Sequence, residues 1–240
     1  MAPFHFKKFS LSHDKSTLKI GTDAVLLAVL TDVEEAQSVL DIGCGCGVIA
    51  FCLAQQLAHT QTHPLICGID PDEASVMEAR QNAAAYPLLP ADAFRFVQGR
   101  VQDMAAADHP QQFDLIVSNP PFFGHDLKPA QEKRLRSKHR DQQLSFEDLL
   151  QSVLKLMKEN GRFALILPPV EAAQFHALTE GLLHCRKRVF VQPTTKKPVH
   201  RVIQEYCRKD VPCTEHHLVI RNENNEYTEE YKAVVKPYLL

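Results

Sequence analysis

Three glycines and two acidic residues are the first candidates for ligand chemistry. The sequence VLDIGCGCGVIAF places Gly43, Gly45 and Gly47 after a strand-like run that contains Asp41 and before a helical one. Glycines there permit a tight turn and let a ligand approach the backbone N–H groups at the helix start. A dinucleotide fingerprint would need glycine at position 48, which is valine. With Asp70 at the end of the next strand, placed to accept both hydroxyls of a ribose, the pattern favours a nucleoside ligand without a pyrophosphate.

The stretch DLIVSNPPFFGHD, residues 114–126, is the second candidate. Proline cannot donate to a sheet ladder and disfavours helix at the residue before it. The segment from Ser118 through Asn119, Pro120 and Pro121 must therefore leave the sheet. An apolar strand that ends in an amide, two rigid residues and two aromatic rings indicates a shaped site at the sheet edge.

The rest of the chain supplies elements that can hold these residues. Short apolar runs at 38–43, 65–70, 94–99, 113–119 and 162–168 alternate at first with helical segments, which is typical of a parallel sheet with crossover helices. We also expect a helix at 22–30 capped by Thr22 or Asp23, and one that Ser145 begins and Asn160-Gly161 ends.

Three strand-like runs in the tail favour a hairpin at the sheet edge. The predicted fold is α/β: a doubly wound, mostly parallel seven-stranded sheet with an antiparallel C-terminal edge hairpin. Residues 1–21 would form a basic arm or short hairpin, and residues 22–240 a single domain.

Composition excludes several classes of protein. The 240 residues are 45% hydrophobic and 23% charged, ordinary values for a globular chain, and the net charge of −2 decides little. Seven cysteines, an odd number, fall partly in apolar runs, which argues for reduced thiols in a cytoplasmic protein. The first residues contain no uninterrupted apolar core followed by a small-residue cleavage site, and no apolar stretch approaches ~20 residues, so we expect neither secretion nor a membrane partner. The C-x-C pair Cys44 and Cys46 lacks a second ligand pair, so we expect no metal.

In the order IGTDAVLL, LDIGCGCG, GID, VQD and SNPPF, the chain resembles the class I S-adenosylmethionine-dependent methyltransferases over most of its length. The resemblance implies S-adenosyl-L-methionine as cofactor. It also implies cofactor-binding roles, at the methionine and ribose end for Asp41, Gly43 and Gly45, at the ribose for Asp70, and beside the adenine for Asp103. The remaining cofactor-binding residues would be Thr22, Asp23 and Asn119.

Asn-Pro-Pro-aromatic is similar to the motif of the amino-methylating members, which implies catalytic roles for Asn119, Pro120, Pro121 and Phe122. An exocyclic amine conjugated to a purine is a poor nucleophile because its lone pair is delocalised. The Asn119 side-chain oxygen and the Pro120 carbonyl can accept both amine hydrogens, the prolines fix where these acceptors point, and Phe122 can stack on an extruded base.

The stretch FHFKKFSLSHDKSTLKIGTDAVLLA, followed by the glycine loop and SNPPFF, resembles the bacterial tRNA adenine-N6 methyltransferases that act on nucleotide 37 of valine tRNA. The resemblance implies tRNA processing, with the tRNA anticodon loop as partner. We also expect a monomer. Three basic tracts have the positive charge that phosphate recognition needs around the predicted active edge, the edge of the sheet where the glycine loop and Asn119 lie. They are HFKKFSLSHDKSTLK, KPAQEKRLRSKHR and CRKRVFVQPTTKKPVHR.

The sequence leaves three other functions open. Protein-glutamine methyltransferases resemble the pattern, although they usually carry a tyrosine after the prolines and an N-terminal helical domain. Methyltransferases that act on guanine N2 of ribosomal RNA also resemble it, although many have a duplicated domain. A nucleic-acid-binding module with a vestigial cofactor site would not need Asp41, Asp70, Asp103 and Asn119 together.

Overall fold

The structure, a computed structural model, describes residues 2–16, 19–59, 63–121 and 144–239. Its strands are β1 (Phe4–His5), β2 (Ser10–Leu11), β3 (Ser38–Ile42), β4 (Leu65–Asp70), β5 (Phe94–Gln98), β6 (Phe113–Ser118), β7 (Met157–Leu167), β8 (His184–Thr194), β9 (Arg201–Cys207) and β10 (Thr214–Arg221). Its helices are α1 (Thr22–Leu30), α2 (Val48–Leu57), α3 (Glu73–Ala85), α4 (Val101–Ala105), α5 (Phe146–Leu156), α6 (Pro169–Leu178) and α7 (Glu229–Val235), with a 3₁₀ turn at Ala91–Ala93.

A single eight-stranded sheet organises the molecule, in the order β10-β8-β9-β7-β6-β3-β4-β5. The neighbours from β5 to β7 pair in parallel, as do β8 and β10, whereas β9 is antiparallel to both β7 and β8. The chain builds outward from β3 to β5 and then returns to place β6 on the other side of β3. In open α/β sheets with a reversal of this kind, ligands bind at the carboxyl ends of the strands beside it, which here are β3, β4 and β6.

The predicted doubly wound, mostly parallel fold is confirmed, with two corrections at its C-terminal end. Within the described residues, the sheet has eight strands instead of seven. The antiparallel pair of β8 and β9 lies inside the sheet. Strand β10 does not pair with β9 but joins β8 in parallel as the edge strand. The short connection between β9 and β10 predicts a hairpin in which these two strands pair with each other. That prediction is wrong.

The starts of the two predicted helices agree with the sequence, whereas one predicted cap and one predicted helix end do not. Helix α1 begins at Thr22 as predicted, but Gly21 is its N-cap residue, and neither Thr22 nor Asp23 caps it. Ser145 caps α5 by accepting the backbone N–H of Asp148 at 3.0 Å. That helix ends at Leu156, and residues 160–161 lie within β7 instead of closing the helix.

Apolar clusters cover both faces of the sheet. One contains Val39, Leu115 and Val117 together with the buried sides of α1, α2 and α3. The other contains Leu40 and Ile116 and packs against α5 and α6. Because successive strand residues point to opposite faces, an apolar run without alternation is what a sheet buried on both faces requires.

The N-terminal residues form a small hairpin that packs on the first of these clusters. Strands β1 and β2 pair in antiparallel fashion, and the side chains of Phe6, Phe9 and Leu11 are buried. The ring of Phe9 lies 5.2 Å from that of Tyr86, just after α3. Among the described residues, no helix combines the length and the apolar composition needed to cross a bilayer.

Candidate active site

The carboxyl ends of three neighbouring strands form the centre of the candidate site. Ile42 at the end of β3 is in register with Ile69 of β4 on one side and with Ser118 of β6 on the other. The glycine loop, the end of β4 and the exit of the chain from β6 therefore lie side by side at one edge. This arrangement joins the two stretches that the sequence singled out.

The glycine loop is built from left-handed backbone conformations. Gly43, Gly45 and Gly47 have φ angles of 72°, 54° and 87°, which side-chain-bearing residues rarely adopt. The Gly43 N–H donates to the carbonyl of Ile69 at 2.8 Å, which ties the loop to β4. A Cβ atom built at Gly43 or Gly45 would meet nothing within 4 Å, so the loop faces open space there.

Asp41 is a fully buried carboxylic acid beneath this loop. Its Oδ2 accepts the backbone N–H of Ala50 in α2 at 3.2 Å, whereas its Oδ1 has no hydrogen-bond partner within the described residues. Burial raises its pKa to about 7, with a smaller contribution from the charge of Asp70 and against the effect of the Ala50 N–H. Asp41 is therefore close to its titration point at neutral pH.

Asp70 connects β4 to the glycine loop. Its Oδ2 accepts the backbone N–H of Gly45 at 2.9 Å, and its Oδ1 accepts that of Asp72 at 2.9 Å. Partial burial raises its pKa, although these two N–H groups act in the opposite direction. Each carboxylate oxygen keeps further acceptor capacity, which is what recognition of two hydroxyls requires.

The chain leaves β6 through Asn119 and Pro120 as the sequence predicts. The hydroxyl of Ser118, which is buried, donates to the carbonyl of Ile42 at 3.0 Å and fixes this exit against β3. Asn119 is half-buried, Pro120 buried and Pro121 exposed. No hydrogen bond engages the Asn119 side chain in the described part of the chain. Phe122 and the basic tract after it lie outside the described residues.

The other predicted cofactor residues lie around this centre with different contacts. Thr22 is exposed at the start of α1, and Asp23 accepts a hydrogen bond from Arg201 Nε at 2.6 Å. Asp103 lies on α4 with its side chain 67% exposed, at 3.3 Å from the guanidinium of Arg100.

The structure thus brings Asp41, Gly43, Gly45 and Asp70 into one connected unit and places Asn119 at the adjoining strand end. Asp23 and Asp103 are instead engaged by arginines. The sequence did not predict that Arg201 contacts Asp23. Its one indication of a role for Arg201 was the position of this residue at the end of a basic tract.

Only parts of the first and third basic tracts, residues 5–19 and 185–201, lie at the active edge, where β3, β4 and β6 end. Helices α2 and α3 run back from the active edge, and Lys8 Nζ lies 3.3 Å from Nε2 of His59, just beyond the far end of α2. Arg186, in the first half of β8, forms an ion pair with Glu205 at 2.8 Å, away from that edge. Residues 195–200 join β8 to β9 at the active edge itself, because β9 starts opposite the end of β7.

The cysteines near the site behave as packing residues. Cys44 and Cys46 are buried, and burial raises the pKa of both thiols, for Cys46 to about 11. All seven cysteines are free. Within the described ranges, no group of three or more histidine, cysteine or acidic side chains is arranged to hold a metal ion.

S-adenosylmethionine, the cofactor that the resemblance implies, fits the chemistry of these residues. An unpartnered buried carboxylate oxygen on Asp41 and the acceptor capacity of Asp70 suit a ligand that carries an ammonium group and ribose hydroxyls. The left-handed glycine loop leaves open space beside its exposed backbone.

Comparison with known structures supports the fold. A predicted O-methyltransferase, protein Atu636 from Agrobacterium tumefaciens, superimposes with a TM-score of 0.66 at 17% identity, covering 90% of this chain and 96% of its own. The 16S rRNA N2 G1207 methyltransferase RsmC of T. thermophilus, in complex with AdoMet and guanosine, gives a TM-score of 0.54 at 18% identity over 81% of this chain and 45% of its own. At these identities the likeness concerns the fold alone.

Sequence comparison is more specific. Residues 34–230 match the family described as "Methyltransferase domain". The tRNA1(Val) (adenine(37)-N6)-methyltransferase of Trichodesmium erythraeum is 34% identical over 99% of this chain and 97% of its own length. The protein of the same name from Bacteroides thetaiotaomicron is 32% identical with the same coverage. The chain therefore belongs to the tRNA1(Val) (adenine(37)-N6)-methyltransferase family.

Proposed function

We propose that this protein transfers a methyl group from S-adenosyl-L-methionine to the exocyclic N6 of adenine 37 in the anticodon loop of valine tRNA. The observation that carries the proposal is the position of Asn119 and Pro120 at the end of β6, next to the glycine loop at the end of β3. The full-length relatives that bear this activity in their names support the choice of substrate.

The residues at the exit of β6 suit an amine nucleophile. The Asn119 side-chain oxygen and the Pro120 carbonyl accept the two hydrogens of N6, which turns the nitrogen lone pair out of conjugation with the ring. S-adenosylmethionine, when bound, supplies an electrophilic methyl group. N6 would form the new N–C bond as the bond between that methyl group and sulfur breaks, with the electron pair remaining on sulfur in S-adenosylhomocysteine. The methylated nitrogen would then lose a proton to solvent, so the site needs no strong general base.

Rigid placement of these acceptors is the main contribution of the protein. Ser118 is bonded to β3, Pro120 is buried, and β6 is paired on both sides. Preorganised acceptors do not have to reorganise during the reaction, which lowers its barrier. Phe122 stacks on the target base in this proposal, and Pro121 fixes the direction in which the chain continues.

The glycine loop would hold the cofactor. Asp41, Gly43 and Gly45 hold its methionine and ribose end, and Asp70 accepts the ribose hydroxyls. Asp103 would contact the adenine, Thr22 and Asp23 would contact the cofactor from α1, and Asn119 would contact both the cofactor and the substrate. The open space beside the loop and the buried acceptors beneath it support this arrangement.

The tRNA backbone meets the loop at 195–200. Lys196, Lys197 and His200 are exposed there. Strand β9, which follows this loop, is two strands from β6, a lateral distance of about 10 Å. Nucleotides flanking a target base can bridge that distance. Lys196 forms an ion pair with Glu223 at 3.6 Å in which both side chains are exposed. Such a pair contributes little free energy, so replacing it with a contact to phosphate costs little.

Residues 22–240 act as one methyltransferase domain in this proposal, because the sheet is continuous from β3 to β10. The protein acts as a monomer. In support, the described residues expose few large apolar side chains, namely Met77, Val170 and Leu182. Seven free thiols support a cytoplasmic location, where the tRNA substrate is.

The test is methylation of a defined transcript. Purified protein, S-adenosylmethionine and unmodified valine tRNA should yield N6-methyladenosine by mass spectrometry, and a transcript with guanine at position 37 should yield none. Equal incorporation into both transcripts, or transfer to guanine N2 or protein glutamine instead, would overturn the proposal. In a strain that lacks the gene, N6-methyladenosine should disappear from valine tRNA.

A further inference from the structure

Residues 12–16, the segment that follows β2, lie along α3 beside the glycine loop, and two buried side chains hold them there. We infer that Glu78 and Asn82 are positioning residues that make this N-terminal segment a structural part of the cofactor site. The inference rests on the cofactor half of the proposed function and not on its tRNA substrate.

Glu78 holds the segment through its backbone. Its Oε1 accepts the N–H groups of Asp14 at 2.7 Å and Lys15 at 3.0 Å, and its Oε2 accepts the N–H of Ser16 at 3.0 Å and also the Ser16 hydroxyl. The Glu78 residue is 1% exposed. A buried carboxylate is costly unless hydrogen bonds compensate it, and here four donors converge on it.

The electrostatics agree with an ionised carboxylate. Burial acts to raise the pKa of Glu78, but the hydrogen bonds from Ser16, Lys15 and Asp14 prevail and lower it. The segment is thus held by a charged group at neutral pH.

Asn82 joins the segment to the glycine loop. Its Oδ1 accepts the N–H of Ser12 at 2.9 Å, and its Nδ2 donates to the carbonyls of Ser12 and Cys46, each at 3.0 Å. Cys46 lies between two glycines of the loop, and Asn82 is 5% exposed. One buried amide therefore contacts both the N-terminal segment and the cofactor loop.

The glycine loop is consequently held from two directions. On the β4 side, Asp70 accepts the N–H of Gly45, and on the α3 side, Asn82 donates to the carbonyl of Cys46. A loop with three left-handed glycines has much conformational freedom to lose, so each restraint favours the conformation that binds ligand. An interaction that holds residues 12–16 in place therefore raises cofactor affinity. By linkage, cofactor binding stabilises the bound position of this segment by the same coupling free energy.

A tether that serves folding alone would behave differently. Loss of such a tether would lower the melting temperature and leave the cofactor dissociation constant of the folded protein unchanged. The two readouts therefore separate a positioning role from a merely structural one.

The first test measures binding of S-adenosylmethionine without tRNA by isothermal titration calorimetry. Asn82→Asp keeps the acceptor for Ser12 but loses both donors, and Glu78→Gln loses part of the acceptor set. We expect each to raise the dissociation constant about tenfold or more, while Gln81→Ala, exposed on the same helix, stays within about twofold of wild type. At saturating cofactor, kcat and the KM for tRNA should be nearly unchanged. A lowered melting temperature with an unchanged dissociation constant would overturn the inference.

The second test uses the wild-type chain, so it does not depend on the variants folding. Lys15 and Lys19 are exposed trypsin sites within or just after the segment. S-adenosylmethionine should slow cleavage there about fivefold or more, and Asn82→Asp should abolish this protection at equal cofactor occupancy. Cleavage at the same rate with and without the cofactor would overturn the inference. Both assays omit tRNA, so an error in the assigned substrate would leave their results unaffected.

Discussion

Asp70 Oδ2 accepts the backbone N–H of Gly45 at 2.9 Å, so the carboxylate proposed to hold the ribose also fixes the loop proposed to surround the cofactor. Its other oxygen accepts the N–H of Asp72, which caps α3 through Ser75. One side chain thus links the loop after β3, the end of β4 and the start of α3. Changes at Asp70 should act on loop geometry and ligand contacts together.

We predict that Asp70→Ala weakens S-adenosylmethionine binding roughly 10²-fold, because hydrogen bonds to a charged acceptor are lost both in the loop and to the ligand. Asp70→Asn should have a smaller effect, since its amide oxygen still accepts one of the N–H groups. Calorimetry measures both, with Asp92→Asn, exposed at the opposite edge of the sheet, as the control. Unchanged affinity in Asp70→Ala would show that this carboxylate does not contact the cofactor.

The raised pKa of Asp41 predicts a specific dependence of the free energy of unfolding on pH. Its pKa is raised to about 7 in the folded protein, against about 3.9 in an unfolded chain, so the folded state retains the proton over that interval. The resulting stabilisation is fully present below about pH 4 and is lost as the pH rises through about 7. Between about pH 5 and pH 8, the free energy of unfolding of the cofactor-free wild type should fall by about 2–3 kcal/mol relative to Asp41→Asn, which does not titrate.

Urea unfolding of both proteins across this range measures that difference. Comparing the two proteins cancels titrations that they share, such as those of Asp114 and Glu78, whose pKa values are lowered. A difference that does not vary with pH would mean that Asp41 is ionised in the folded protein throughout.

The sequence predicted the parts of the site that local patterns determine. The strands around the candidate site match their apolar runs within a residue or two, since a parallel strand buried on both faces reads as a continuous apolar stretch. The glycine loop and Asp70 followed from their positions after such strands. The exit at Asn119 followed from what proline cannot do in a sheet.

Long-range contacts account for what the sequence did not predict. Glu78 and Asn82 are four residues apart on an alanine-rich helix, a spacing typical of a solvent-facing polar stripe. They are buried because a segment 62 to 70 residues earlier covers them. The position of β10 likewise depends on the parallel pairing of His216 and Leu218 with β8, which no local turn signal encodes.

The loop at 195–200 should contribute to tRNA binding and not to cofactor binding. Replacing Lys196 and Lys197 with alanine removes two cations from the active edge, so the KM for tRNA should rise about tenfold, and the slope of log affinity against log salt should fall by about 1–2. The dissociation constant of S-adenosylmethionine should stay unchanged. Lys209→Ala is the matched control, because this lysine is exposed just after β9 at the opposite edge. Equal effects of both replacements would indicate general electrostatic attraction without a defined surface.

Asn119 should separate methyl transfer from cofactor binding. Asn119→Ala removes one of the two proposed acceptors for the N6 hydrogens, so single-turnover transfer to valine tRNA should slow about 10²–10³-fold. The affinity for S-adenosylmethionine should change by no more than a few-fold, because the Asn119 side chain makes no hydrogen bond to the described glycine loop. Asn119→Asp keeps an acceptor oxygen and should retain more activity than the alanine variant. If both variants lose cofactor affinity as strongly as transfer, Asn119 binds the cofactor instead of the target amine, and the proposed geometry for N6 is wrong.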